Sequence, residues 1–183
     1  MGSKLPVGLV LLLTLCIGCG GVEEKNKGRS PHLLEIHHIN VDQGDSTLII
    51  GPNKTTLLID AGKPGKGTEK VVSYLKKIGL TSENGLDYML ATHRDADHIG
   101  GLDEVIEAGY NVRKNIWDNG SKKTGTQITE FLSAAKKTSA GPVLGIPLGT
   151  IIEFGEGARA TVVAVSGDVY NGGNVPINDG DEE

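Results

Sequence analysis

Tyr88-Met89-Leu90-Ala91-Thr92 runs straight into His93-Arg94-Asp95-Ala96-Asp97-His98-Ile99-Gly100-Gly101, an apolar strand followed at once by two imidazoles and two carboxylates. In α/β proteins the loop at the carboxyl end of a strand is where sites are built. His93 and Asp95 are two residues apart, so in extended backbone they point to the same side. Asp97 and His98 follow, and Gly100-Gly101 lets the next helix start close to whatever is bound. Four potential ligands within six residues are enough to begin a two-metal site, in which one ion acidifies a water and both clamp substrate oxygens. The plainer reading is a charged surface loop whose histidines are incidental; the strand, the ligand cluster and the double glycine in register speak against it.

Upstream, Leu34–Ile39 and Thr47–Ile50 are short β-prone runs, and Pro52-Asn53 turns the chain into Thr55–Ile59. Thr68 caps a helical pattern with Val71, Val72, Leu75 and Ile78 on one face, stopped by Gly79. Downstream, Leu102, Val105 and Ile106 mark a helix, Asn115–Trp117 a strand end, and Ile128, Phe131, Leu132 and Ala135 another helix. Ile151–Phe154 and Thr161–Val165 read as two more strands. Strands alternating with helices predict a layered α/β sheet fold. Asn171–Glu183 is rich in Gly, Asn and Asp and reads as a solvated loop, because its acidic spacing lacks the order of a calcium loop.

The N-terminus reads as separate from the fold. Lys4 precedes the apolar run Leu5–Ile17, which is shorter than the roughly 20 residues a spanning helix needs and within the roughly 7–15 of an export signal. Gly18 before Cys19 resembles a bacterial lipobox, with Cys16 where Leu is usual. Residues 1–19 are therefore expected to be a lipoprotein-type signal peptide with Cys19 as the lipidated residue; an uncleaved anchor or an ordinary secretory signal is the alternative. Residues 20–32 form a polar tether, and 33–183 the domain. The implied location is outside the cytoplasm, anchored to a membrane through the lipid. Both cysteines fall in the signal, so the folded part carries no disulfide framework. The net charge is −5, and the processed chain has 17 basic against 23 acidic residues. Such a balance does not attract nucleic acid without a local basic patch, and no protein partner can be inferred.

The signature resembles the metallo-β-lactamase superfamily's His-x-His-x-Asp-His, with Asp95 in place of the second His. That replacement is similar to the branch related to the hydrolase domain of DNA-uptake competence (ComEC-like) proteins. Val41-Asp42-Gln43-Gly44-Asp45-Ser46 looks like that branch's Val-Gly-Gln-Gly-Asp-Ala/Ser turn, with Asp42 departing from Gly. Leu57-Leu58-Ile59-Asp60-Ala61-Gly62 resembles the superfamily's strand-plus-Asp motif, and His98-Ile99-Gly100-Gly101 its His-x-Gly-Gly continuation. The resemblance implies an αββα sandwich and hydrolysis by a metal-bound hydroxide. His93 and Asp95 would bind one ion and Asp97 and His98 a second, with Asp97 also orienting or deprotonating the water. Two divalent ions are implied, zinc first and manganese as the alternative, since a carboxylate in place of a third imidazole hardens the site. Asp60 would tie the signature loop from behind and Asp45 would shape the site's edge; read without the family, both could be simple turn residues.

One departure stands out: no histidine follows His98. His32, His37 and His38 lie upstream and read as tether and surface residues. Asp168, in Ser166-Gly167-Asp168, imitates a bridging Gly-Asp but comes early. The expectation is a domain lacking its C-terminal part. The branch points to phosphodiester or nucleic-acid-like substrates; an ester or amide (β-lactam-type) hydrolase acting on a small molecule, or a non-catalytic, metal-poor binding protein, are the alternatives.

Overall fold

The computed structural model describes residues 33–170 and 173–174. The alternation of apolar residues in the early strands sets its layers. In β2 (Thr47–Ile50), Leu48 and Ile50 are buried on one face while Ile49 packs on the other. In β3 (Thr56–Ile59), Leu58 and Leu57 divide the same way. With β1 (Glu35–His38), β4 (Leu86–Leu90), β5 (Val112–Asp118) and β6 (Leu144–Gly145) they form a six-stranded sheet in the order β1-β2-β3-β4-β5-β6. β1 to β3 are antiparallel neighbours; β3 to β6 run parallel.

Parallel neighbours require crossovers, and helices supply all three. Gly67–Val72, wound as a π-helix, continues into α1 (Ser73–Lys77) between β3 and β4. α2 (Ala96–Ile99) and α3 (Leu102–Glu107) join β4 to β5, and α4 (Thr126–Ala135) joins β5 to β6. Val71, Leu75, Leu102, Val105 and Phe131 from these helices bury themselves with Leu48, Leu58 and Met89 in one core. Each such large side chain contributes roughly 1.5–3 kcal/mol on leaving water. The helices thus share one face of the sheet. On the other face, Leu57 and Trp117 pack with Ile152 and Phe154 of the hairpin β7 (Ile151–Gly155) and β8 (Ala158–Thr161). Tyr88 stacks on Trp117 there, ring centroids 5.3 Å apart. A small antiparallel meander, β9 (Ala164–Val165), β10 (Asp168–Val169) and β11 (Gly173–Asn174), follows.

These are helix, sheet and second β layers of the mixed α/β sandwich. The strand expected at Thr161–Val165 is divided. Val162 still exchanges backbone hydrogen bonds with Gly149 and Thr150 just before β7, whereas the Val163 carbonyl takes the Tyr170 N–H and the chain pairs with β10 from Ala164. The signature strand ends at Leu90 rather than Thr92: the Ala91 N–H still reaches Trp117 of β5, but the Thr92 N–H is taken by the Asp60 carboxylate. The helix expected from Thr68 buries Val71, Val72 and Leu75 as its spacing requires, but its first turns are π-wound. Among the described residues no helix is long and apolar enough to cross a membrane; the apolar run, Cys19 and the tether lie outside them.

Candidate metal centre

Because β3, β4 and β5 are parallel, their carboxyl ends open on one edge of the sheet. That edge brings together Asp60 after β3, the signature loop after β4, and Asp118 at the end of β5. Asp60 is 1% exposed and adopts φ 55°, a left-handed conformation that Asp tolerates better than most residues. Its Oδ1 accepts the Thr92 backbone N–H at 2.8 Å, and its Oδ2 accepts the Thr92 hydroxyl at 2.6 Å and meets His98 Nδ1 at 2.8 Å. Ala61 N–H adds a bond to the His98 carbonyl at 2.9 Å. The loop is thus fastened at both ends to one buried carboxylate.

That fastening fixes tautomers. A carboxylate only accepts, so His98 donates through Nδ1 and its Nε2 carries the free lone pair. Thr92 gives its hydroxyl proton to Asp60, so at the 3.0 Å contact of Thr92 Oγ1 with His93 Nδ1 the imidazole is the donor. Both rings, with centroids 4.0 Å apart, are therefore anchored through Nδ1 to the same oxygen system and present Nε2. A histidine held by a carboxylate through one nitrogen is the form in which the other binds metal.

The carboxylates are placed differently. Asp95 is extended, at the N-terminus of α2; its Oδ2 lies 3.4 Å from His93 Nε2, and its Oδ1 accepts a hydrogen bond from Lys123 Nζ at 2.6 Å. The Lys123 ammonium holds the Asp95 carboxyl below its usual range. Asp97 is half-buried in the first turn of α2. The Val41–Ser46 turn lies against its backbone: a Cβ on Gly44, at φ 84°, would fall 1.6 Å from the Asp97 carbonyl oxygen, so only glycine fits. Asp42 also sits at positive φ (68°), which is why a Gly-like position accepts Asp, and Lys66 pairs with it at 2.7 Å. Asp45 is exposed at the rim, and its carbonyl receives the Gly62 N–H. Gly101 donates its N–H to the Gly62 carbonyl and lies so close to Ala61 and Gly67 that a Cβ would fall 2.3 Å from the Ala61 oxygen, which seats the start of α3 against the end of β3.

The donor set of two imidazoles and two carboxylates suits a divalent cation. As arranged, though, no group of three or more His, Cys, Asp or Glu side chains among the described residues is gathered to hold one. His37 and His38, on successive positions of β1, face opposite sides: His37 contacts Tyr74 and Glu35, and His38 contacts Thr47. Asp168 is exposed on β10.

Sequence reading passed over three neighbours. Asp118, 1% exposed, accepts Arg94 Nε at 2.9 Å and Nη2 at 2.6 Å, and Arg94 Nη1 donates to the Lys123 carbonyl. Thr92 and Lys123 complete the trio. The one available signal was Asp118 at a strand end, where Asp60 also stands. Beside the loop, Leu90, Ala91, Thr92, Ile146, Val162 and Val165 line a mostly apolar cleft of about 240 Å³.

A family model described as Metallo-beta-lactamase superfamily matches residues 39–171. The chain belongs to this superfamily. Its members are generally metal-dependent hydrolases. Among curated proteins, the Lactamase-like protein nscB of Trichophyton equinum is 25% identical over 133 residues, spanning 65% of this chain and 37% of that protein. The Beta-lactamase-like protein 2 homolog of Caenorhabditis elegans is 29% identical over 72 residues, 39% of this chain and 24% of its own length. An atrochrysone carboxyl ACP thioesterase of Aspergillus terreus is 29% identical over 97 residues, 50% of this chain and 29% of the other. Of solved structures, a Cronobacter sakazakii metallo-β-lactamase carrying a mutated HARLDQ motif matches with TM-score 0.43 and 16% identity, covering 64% of this chain and 46% of that one. SMB-1 matches with TM-score 0.46 and 15% identity, covering 66% and 46%. The chain thus spans under half the length of each of these relatives.

Proposed function

We propose that this protein is a metal-dependent hydrolase acting on phosphodiester or nucleic-acid-like substrates outside the cytoplasm, held to a membrane through lipid on Cys19. The observation that carries the metal reading is the buried Asp60 carboxylate, which through His98 and Thr92 leaves both signature imidazoles presenting Nε2. His93, Asp95, Asp97 and His98 would hold the ions, zinc first and manganese as the alternative. When bound, such ions acidify water and polarise the bond to be cut. Asp97, fixed in position by Gly44 against its backbone, would orient or deprotonate the attacking water. Asp95 in place of His and the Val41–Ser46 turn support the competence-like branch and, with it, a phosphodiester substrate.

The apolar cleft beside Thr92 favours a second reading, an ester or thioester with an apolar acyl group. Purified protein loaded with zinc or manganese should hydrolyse bis(p-nitrophenyl) phosphate, and should lose that rate with chelator and in His98→Ala. Faster cleavage of a p-nitrophenyl ester or a thioester would move the assignment to the second reading. Stoichiometric metal with no hydrolysis of either would leave a binding protein. Anchoring is tested separately: Cys19→Ala expressed in a bacterial host should lose both the acyl mass and membrane partitioning.

A further inference from the structure

We infer that Lys123 competes electrostatically with divalent metal for Asp95, neutralising the carboxylate that the metal would need. The inference rests on the metal reading of the signature. Its observation is the 2.6 Å hydrogen bond from Lys123 Nζ to Asp95 Oδ1, together with the absence, among the described residues, of any three donors gathered on one point. Asp95 Oδ2 remains beside His93 Nε2 at 3.4 Å, but a divalent ion bound there would lie within a few ångströms of the Lys123 ammonium and be repelled by it.

The lysine is delivered there by a constructed loop. Asp118 Oδ1 accepts the Gly120 N–H at 2.8 Å, Asn119 Oδ1 the Ser121 N–H at 3.2 Å, and Ser121 Oγ the Lys123 N–H at 3.0 Å. Arg94, the residue immediately before Asp95, binds both Asp118 and the Lys123 carbonyl. The signature loop itself therefore holds the lysine over its own ligand. Both side chains of the Lys123–Asp95 pair are about a third or more exposed, at 33% and 45%. A pair so exposed contributes little to the fold, and its removal leaves the Asp60 fastening untouched. Its effect falls on occupancy: with the lysine in place, Asp95 is already neutralised, and a metal must bind against the ammonium's charge.

Isothermal titration of Zn²⁺ or Mn²⁺ alone into the full chain tests this, comparing wild type with Lys123→Met, Lys123→Gln and Lys123→Arg. The two neutral variants should bind the metal roughly five- to tenfold more tightly, the scale of a partly exposed ion pair and its repulsion removed. The gap should narrow at high salt, and Lys123→Arg should stay near wild type. Thermal unfolding checks that each variant is folded, and two neutral replacements guard against one failing. Neutral variants that bind no more tightly than wild type overturn the competition alone. No metal uptake by wild type or any folded variant overturns the metal reading of the signature together with it.

Discussion

Asp60→Asn is the sharpest probe of the site. Asn is the same shape and adopts left-handed backbone as readily as Asp, so the φ of 55° is not disturbed. What changes is one oxygen into an NH₂ group beneath three hydrogen bonds of 2.6–2.8 Å. If the amide oxygen keeps the Thr92 N–H, the NH₂ faces Thr92 Oγ1 and His98 Nδ1. The hydroxyl can rotate to accept. His98 must then accept through Nδ1 and carry its proton on Nε2, the nitrogen a metal needs. Charged hydrogen bonds contribute about 1.5–3 kcal/mol and neutral ones about 0.5–1.5, so three weakened bonds cost roughly 3 kcal/mol.

For a domain of this size that is a fall in Tm of about 6–12 °C. The same change should weaken metal binding by about 10–100-fold, the usual effect of removing the carboxylate behind a ligating histidine. Differential scanning calorimetry and metal titration read the two effects, and ¹⁵N shifts of the His98 ring report the tautomer directly. An unchanged Tm, unchanged metal affinity and a ring still protonated at Nδ1 would refute the reasoning, because Asp60 would then be a turn residue and nothing more.

Further outcomes follow from neighbouring contacts. Gly44→Ala places a methyl where the Asp97 carbonyl oxygen stands and strains φ 84°; we expect roughly 2–4 kcal/mol lost in denaturant unfolding and weaker metal binding through displaced Asp97. Arg94→Met strands the buried Asp118 charge and should cost about 3–5 kcal/mol, with Asp118→Asn in the same background recovering part of it. Asp103 on α3 has a buried Oδ1 with no hydrogen-bond partner among the described residues, and burial pushes its carboxyl from 3.8 up to about 6. The native state keeps this proton to about pH 6 while the unfolded chain loses it near 3.8, so the group's contribution falls as pH rises between those values. Asp103→Asn should flatten that slope and stabilise the protein at pH 7 by about 1 kcal/mol, after discounting for the half-exposed group's screening. An unchanged slope between pH 4 and 6 would show the group to be ordinary.

The layers were legible because they rest on local rules. Leu48 and Ile50, Leu57 and Leu58, or Val71, Leu75 and Phe131 declare their faces by spacing alone. The fastening by Asp60 was legible only as half of a motif, since nothing in Leu57–Gly62 says which backbone its carboxylate will reach. Thr92 was hidden for a related reason: a Thr at a strand end is ordinary until the neighbouring strand delivers a buried acceptor 2.6 Å away. The chain's departures were harder still. Thr161–Val165 is as β-prone as any run, but the sheet it joins changes after Val162, where Val163 turns to Tyr170, a partner the run itself does not announce.

Lys123 shows where sequence reading has to stop. Gly120-Ser121-Lys122-Lys123-Thr124-Gly125 is a polar, charged connection, and on composition alone it belongs to solvent. Its place is settled by parallel pairing in register. Leu90 lies beside Trp117, so the residues that follow each of them leave the sheet at the same edge. From there Arg94 reaches Asp118 and draws the connection over the signature loop, and the lysine arrives at Asp95 as a consequence of two strands ending together. The Asp95 carboxylate was written in the motif, but the cation that holds it was written 28 residues later, and only the crossover through α2 and α3 makes them neighbours.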